Sequence, residues 1–191
     1  MSRVVQRQAF EVEDLVLDFP AVAAEGPGGS IRIQNIDSNP ALSTLRDGAS
    51  QTIVDLNPCG IVSPHHHPGG TEVNHVSEGN LTFTIIEELG GRGALGPVTL
   101  SAGNTILLPQ GLVHLTVNDN CEPGQFVATF PTTDFATVFA SPTFFGFDLG
   151  TVAAVLGVDV DTAQKVQTSA TEGFNPFPLD AACAMRCGIA M

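Results

Sequence analysis

His65-His66-His67-Pro68-Gly69-Gly70-Thr71-Glu72 sets metal-ligand side chains on both sides of a turn. If the first half is a strand, alternation puts His65 and His67 on one face and His66 on the other. Pro68-Gly69-Gly70 supplies turn residues, and Thr71-Glu72-Val73-Asn74-His75-Val76 reads as the returning strand. Two imidazoles and one carboxylate then converge on one point, which is donor chemistry suited to a divalent transition metal. Asn74 shares the inward face with Glu72 and is a candidate to hydrogen-bond a bound ligand or water, whereas His66 and His75 point away.

Short apolar runs alternate with Gly, Pro and Asn turns on either side of this hairpin. They include Thr52-Ile53-Val54-Asp55-Leu56, Asn80-Leu81-Thr82-Phe83-Thr84-Ile85-Ile86, Thr105-Ile106-Leu107-Leu108, Leu112-Val113-His114-Leu115-Thr116-Val117 and Phe126-Val127-Ala128-Thr129-Phe130. Strands at this spacing indicate an antiparallel sandwich or barrel, an all-β class. Gly26-Pro27-Gly28-Gly29 breaks the chain ahead of Ile31-Arg32-Ile33. The tail changes character: residues 151–156 and 161–167 read as helical, with Asp161 or Asp159 as the N-cap, until Pro176-Phe177-Pro178 interrupts. Such a tail covers an open barrel face or packs against a second subunit.

The chain has 191 residues, enough for one domain with a substantial core, and a formal net charge of −13 with Lys165 as its single lysine. That charge disfavours nucleic acid and anionic membranes as partners. No apolar run reaches the about 18 residues of a membrane span, and residues 1–7 lead into no apolar segment of a signal peptide. The absence of Tyr and Trp excludes tyrosyl-radical chemistry and sugar stacking on Trp, and leaves Phe as the only aromatic. Asn80-Leu81-Thr82 is a glycosylation sequon at the start of a strand.

Four cysteines remain. Cys59 precedes the His strand and Cys121 follows the strand of His114, so the two meet at one end if those strands are neighbours. Cys183 and Cys187 are one helical turn apart, about 6 Å, near the upper range for a bridge. All three connectivities stay open. At least one disulfide is expected, and with it an oxidising compartment.

Two spacings carry a family resemblance. His65, His67, Glu72 and Gly79 satisfy H-x-H-x4-E-x6-G; Gly103, Pro109, Gly111, His114 and Asn118 satisfy G-x5-P-x-G-x2-H-x3-N. Together they resemble the two motifs of the cupins, and within that family the chain is similar to germins, germin-like proteins and spherulin-type secreted proteins. The leading glycine of the first motif is displaced by one residue, with Cys59 in its place and Gly60 following.

The resemblance implies a jelly-roll β-barrel with a short C-terminal helical segment, which Phe144-Phe145-Gly146-Phe147 also suggests. Residues 1–50 would add strands to the barrel, 51–140 form its core, and 141–191 form the helices and cysteine-bearing tail. It implies a metal held by His65, His67, Glu72 and His114, most often manganese, with iron or zinc compatible with the same donors. It further implies a secreted protein that assembles as a dimer or hexamer and binds a small molecule. Val76, Leu112 and Thr116 are expected to face a small, mostly dry pocket.

Oxalate oxidases of the family carry an asparagine three residues before the first metal histidine, where this chain has Val62. Losing that polar contact would cost about 1–3 kcal/mol with a charged diacid. A manganese-dependent oxidoreductase of superoxide dismutase type is therefore favoured over oxalate oxidation. The alternative is a non-catalytic coat, storage or stress protein of spherulin type that binds metal or a small ligand.

Overall fold

In the computed structural model, residues 16–44, 48–87 and 93–190 are described. Residues 1–7 and the start of the apolar run at 12–19 lie outside them. Two antiparallel sheets face each other. One contains β1 (Ala24–Gly26), β2 (Gly29–Gln34), β3 (Ser50–Leu56), β10 (Gly124–Phe130), β5 (Glu72–Glu78) and β8 (Thr105–Leu108), in that spatial order. The other orders β11 (Val138–Phe139), β4 (Ile61–His66), β9 (His114–Val117), β6 (Asn80–Ile86) and β7 (Ala94–Ser101). Successive strands from β3 to β6 alternate between the sheets, and β9 and β10 return to lie beside β4 and β3. This is the interleaving of a jelly roll.

Alternation builds the interior. On β3, Ser50, Thr52, Val54 and Leu56 are buried while the residues between them are half-exposed, and β10 repeats the pattern with Gly124, Phe126, Ala128 and Phe130. The core gathers these with Leu81, Phe83, Val76 and Val62. The β5–β6 reversal turns at Gly79, whose φ of 74° suits glycine. β7 was not among the apolar runs because Pro97 interrupts it; as a sheet-edge strand it tolerates a proline.

The tail divides into two parts. Helices α1 (Ala140–Phe145), α2 (Leu149–Leu156) and α3 (Val160–Glu172) pack on one another through Val152, Ala153 and Ala163 with Phe144, Phe145 and Leu149. Asp148 caps α2, and Asp159 rather than Asp161 caps α3, each accepting from a threonine N–H three residues on. Residues 174–180 then run back along the barrel: the Gly28 and Ile61 N–H groups donate to Phe177 and Pro178 carbonyls at 2.8 and 3.0 Å. Helix α4 (Ala181–Cys187) follows, capped by Asp180.

This returning segment decides among the three connectivities that the sequence leaves open. Cys59 and Cys121 do meet at one barrel end, where the Cys59 N–H donates to the Asn120 carbonyl at 3.1 Å. Helix α4 docks there and takes both: Cys59 bonds Cys183 and Cys121 bonds Cys187, each with a Cα–Cα distance of 5.4 Å. The helical turn that spaces Cys183 from Cys187 aims each at a different barrel cysteine instead of at the other. Cys59 also adopts a left-handed φ of 63°, the backbone form glycine would take without strain. Its carbonyl accepts from Asp180 N–H at 2.8 Å, so the disulfide and both backbone bonds hold it there. Among the described residues, no helix is long and apolar enough to cross a membrane.

Candidate metal centre

His65 lies near the end of β4, His67 just beyond it, Glu72 at the start of β5 and His114 at the start of β9. The β4–β5 connection is tight: Gly69 passes against the 134–135 backbone, where a Cβ would collide, and its N–H donates to the Phe135 carbonyl at 3.0 Å. β4 and β9 pair directly at His65–His114. All four side chains are buried, at 3–7 % exposure, and their candidate ligand atoms lie within 4.8 Å of one another.

The chain fixes the tautomers. Each Nδ1–H donates to a backbone carbonyl: His65 to Ser63 at 2.8 Å, His67 to Ala136 at 2.6 Å and His114 to Leu112 at 2.9 Å. A neutral ring that donates from Nδ1 presents a lone pair at Nε2. The Ala136 carbonyl reaches His67 from a residue held at φ 47°, a left-handed strain placed beside the site. Glu72 Oε2 lies 3.2 Å from His67 Nε2 and 3.0 Å from His114 Nε2. An acceptor thus faces two acceptors, an arrangement that calls for a cation among them. Glu72 Oε2 and His114 Nε2 are accordingly buried without a hydrogen-bond partner among the described residues. The donor set fits a divalent transition metal, and four protein ligands leave positions open on an octahedral ion.

The electrostatics agree. Burial, then the neighbouring His114 and His67, push His65 down to about 3, so its ring stays neutral.

A cavity of about 160 Å³ opens from the centre between the sheets. Val62 and Thr116 line it, as do Phe126, Phe130, Phe135, Phe139 and Phe177. Val62 and His65 are three residues apart and would face opposite ways on a regular strand. β4 carries one extra residue between them relative to Thr116 and His114 on β9, and this bulge turns both inward. Of the other residues expected to face the pocket, neither Val76 nor Leu112 lines it. Val76 packs into the core beside Phe126, and Leu112 sits in the turn before β9 begins. Asn74 is 1 % exposed and neither amide atom has a hydrogen-bond partner among the described residues, yet it does not line the cavity.

His66 and His75 stand apart from the centre; His75 is exposed, with Nδ1 3.2 Å from Thr105 Oγ1. Asn118 of the second motif is structural. Its buried amide donates to the Leu56, Asn57 and Glu122 carbonyls at 3.3, 3.0 and 2.8 Å, tying β3 to the β9–β10 loop. Sequence reasoning missed the phenylalanine walls, because Phe135, Phe139 and Phe177 lie far along the chain and carry no motif.

A family model described as Cupin matches residues 17–164. Spherulin-1A of Physarum polycephalum is 30% identical over 86% of this chain and 65% of its own length. Oxalate oxidase GF-3.8 of Triticum aestivum is 33% identical over 62% of this chain and 52% of its own. The chain therefore spans about half to two thirds of the length of these curated relatives. A solved structure of oxalate oxidase in complex with the substrate analogue glycolate superposes with a TM-score of 0.76 at 25% identity, covering 84% of this chain and 83% of that one.

Proposed function

This chain belongs to the cupin family and is germin-like within it, and from that premise we propose that its His65, His67, Glu72 and His114 centre holds manganese. The protein is then an oxidoreductase acting on a small oxygen species or a small carboxylate. One observation carries this: three imidazoles locked by Nδ1 donation are gathered with a buried carboxylate whose Oε2 has no hydrogen-bond partner among the described residues. A bound redox metal supplies a one-electron couple and a Lewis acid. The chain's own part is to orient and exclude. Glu72 offsets charge, the Ser63, Ala136 and Leu112 carbonyls hold the rings in place, and the stacked Phe130 and Phe135, 4.0 Å apart, shed water from the cavity. Among the residues lining the cavity, no carboxylate or histidine outside the ligand set is present to act as a separate base.

Val62 on the cavity wall, in the position the oxalate oxidases give to asparagine, argues against oxalate and leaves superoxide as the favoured small oxygen species. The acidic surface does nothing to steer an anion inward, so the rate should stay well below diffusion control. The test is dismutation by manganese-loaded protein beside His67→Ala and free manganese, with oxalate consumption run in parallel. Dismutation above free metal in the parent alone is expected; a parent no faster than free metal would end the redox reading.

The resemblance to Spherulin-1A, which extends over more of this chain than the resemblance to the oxalate oxidase does, favours a second reading. In it the barrel binds metal or a small ligand without turnover, as a coat, storage or stress protein. Metal binding with no turnover of any oxygen species or carboxylate selects it. Both readings place the protein outside the cell, which two disulfides support. Both also include self-association as a dimer or hexamer: Phe147, Val155 and Val160 are 58%, 66% and 54% exposed on or beside α2 and α3. Light scattering on the eluted protein tests that assembly.

A further inference from the structure

The cavity contrasts sharply with its ligand end. Among the described residues that line it, the only polar side chains beyond the four ligand residues are those of Thr52, Thr116 and Thr137, with no lysine, arginine, asparagine or glutamine. The walls are phenylalanines and aliphatics, drawn from both sheets. Ile31 and Ile33 of β2 contribute, and Phe177 of the 174–180 segment contributes from the tail.

We propose that the organic ligand of this centre is a small monocarboxylate with an apolar body about the size of a benzene ring, its carboxylate at the His/Glu end. The inference rests on the reading of the four residues as a divalent metal site. Charge selects the head. Two positive charges from the ion less one from Glu72 leave one, with the imidazoles neutral, so a monoanion brings the buried site to neutrality. A second carboxylate would lie among phenylalanine rings with no cation and no amide to receive it, which is strongly unfavourable. Size selects the body. The volume of about 160 Å³ compares with apolar cavities of about 150 Å³ that stay dry and admit benzene. Acetate would leave most of the phenylalanine wall uncovered, and oxalate would set its second charge against it. Val62 sharpens the choice, since the β4 bulge brings an isopropyl group inward beside His65.

Calorimetric titration of full-length, metal-loaded protein with benzoate, acetate and oxalate tests this, after elemental analysis has fixed the metal content. Benzoate should bind at least about tenfold more tightly than acetate, because its ring buries apolar surface, and more tightly than oxalate. Val62→Asn should narrow the benzoate-over-oxalate ratio by about tenfold, by giving a second carboxylate a donor, while a thermal melt checks that the variant is folded. Stoichiometric metal with oxalate bound more tightly than benzoate, or with benzoate no tighter than acetate, overturns the inference and leaves the metal centre standing. Parent protein that takes up no metal overturns both.

Discussion

Two clusters of ligand-type side chains lie among the described residues, and they answer the same electrostatic problem differently. At the barrel end, Cys59, Cys183 and Cys187 bring their sulfurs within 4.8 Å of one another, and Cys183 Sγ lies 4.0 Å from Cys187 Sγ. Every sulfur there is bonded to another sulfur, Cys187 through Cys121. Inside the barrel, His65, His67, Glu72 and His114 are gathered as closely, yet Glu72 Oε2 and His114 Nε2 are buried with no hydrogen-bond partner among the described residues. The difference shows that proximity of ligand residues does not make a site. What marks one is donor atoms that the protein orients and then leaves without a partner. The cysteine cluster fastens the chain, and the histidine cluster awaits a cation.

Removing one inward donor should have the largest effect. Loss of an outer partner of a metal ligand costs about 10–100-fold in affinity, so His67→Ala should lower metal affinity by more than that, measured by competition with a chelator. The same measurement on Cys121→Ala/Cys187→Ala should show metal retained, and loss of metal there would erase the distinction between the clusters.

Next come the fastenings. Deleting the buried Cys59–Cys183 bond, which closes 124 residues, should cost about 2–5 kcal/mol in urea unfolding, and more than deleting Cys121–Cys187, which closes 66. Under graded reductant the exposed Cys121 bond should open first, readable by alkylation and mass spectrometry.

Acid should separate the clusters again. In chelator-treated protein the unfolded chain protonates His65 below its ordinary 6.5, while the folded chain does not until about 3. The unfolded state therefore binds more protons across that window, and stability should fall as pH drops from 6.5 towards 3. A melting temperature that held steady or rose there would contradict a neutral, buried His65.

The smallest effect is at the helix that carries the cysteines. Asp180→Ala removes the acceptor for Cys183 N–H at 2.8 Å and should cost about 1 kcal/mol without altering metal content.

The centre was legible in the sequence because its ligands are local. His65, His67 and Glu72 flank one turn, and His114 follows the Pro109–Gly111 turn in a matching segment. Most barrel strands were legible for a similar reason: Thr52 to Leu56 and Phe126 to Phe130 alternate without interruption. β7 was hidden because Pro97 breaks its pattern, and the pocket-facing role of Val62 was reached only through the family resemblance. Strand periodicity would send Val62 outward, and only the one-residue bulge before His65 brings it in. The cysteine pairing and the phenylalanine walls were not legible. Both depend on residues 174–187 returning across the barrel, a long-range docking that leaves no periodic trace. Cys59 did mark the place: it departs from the family's glycine where the backbone is left-handed, and its disulfide to α4 helps hold it there.

The most direct test is elemental analysis of the protein isolated without added metal, beside His67→Ala prepared identically. About one equivalent of a transition metal, manganese foremost, should accompany the parent and be lost from the variant. A folded parent with both disulfides intact and no metal, which still takes none up on exposure to manganese, iron or zinc, would contradict the account at its centre.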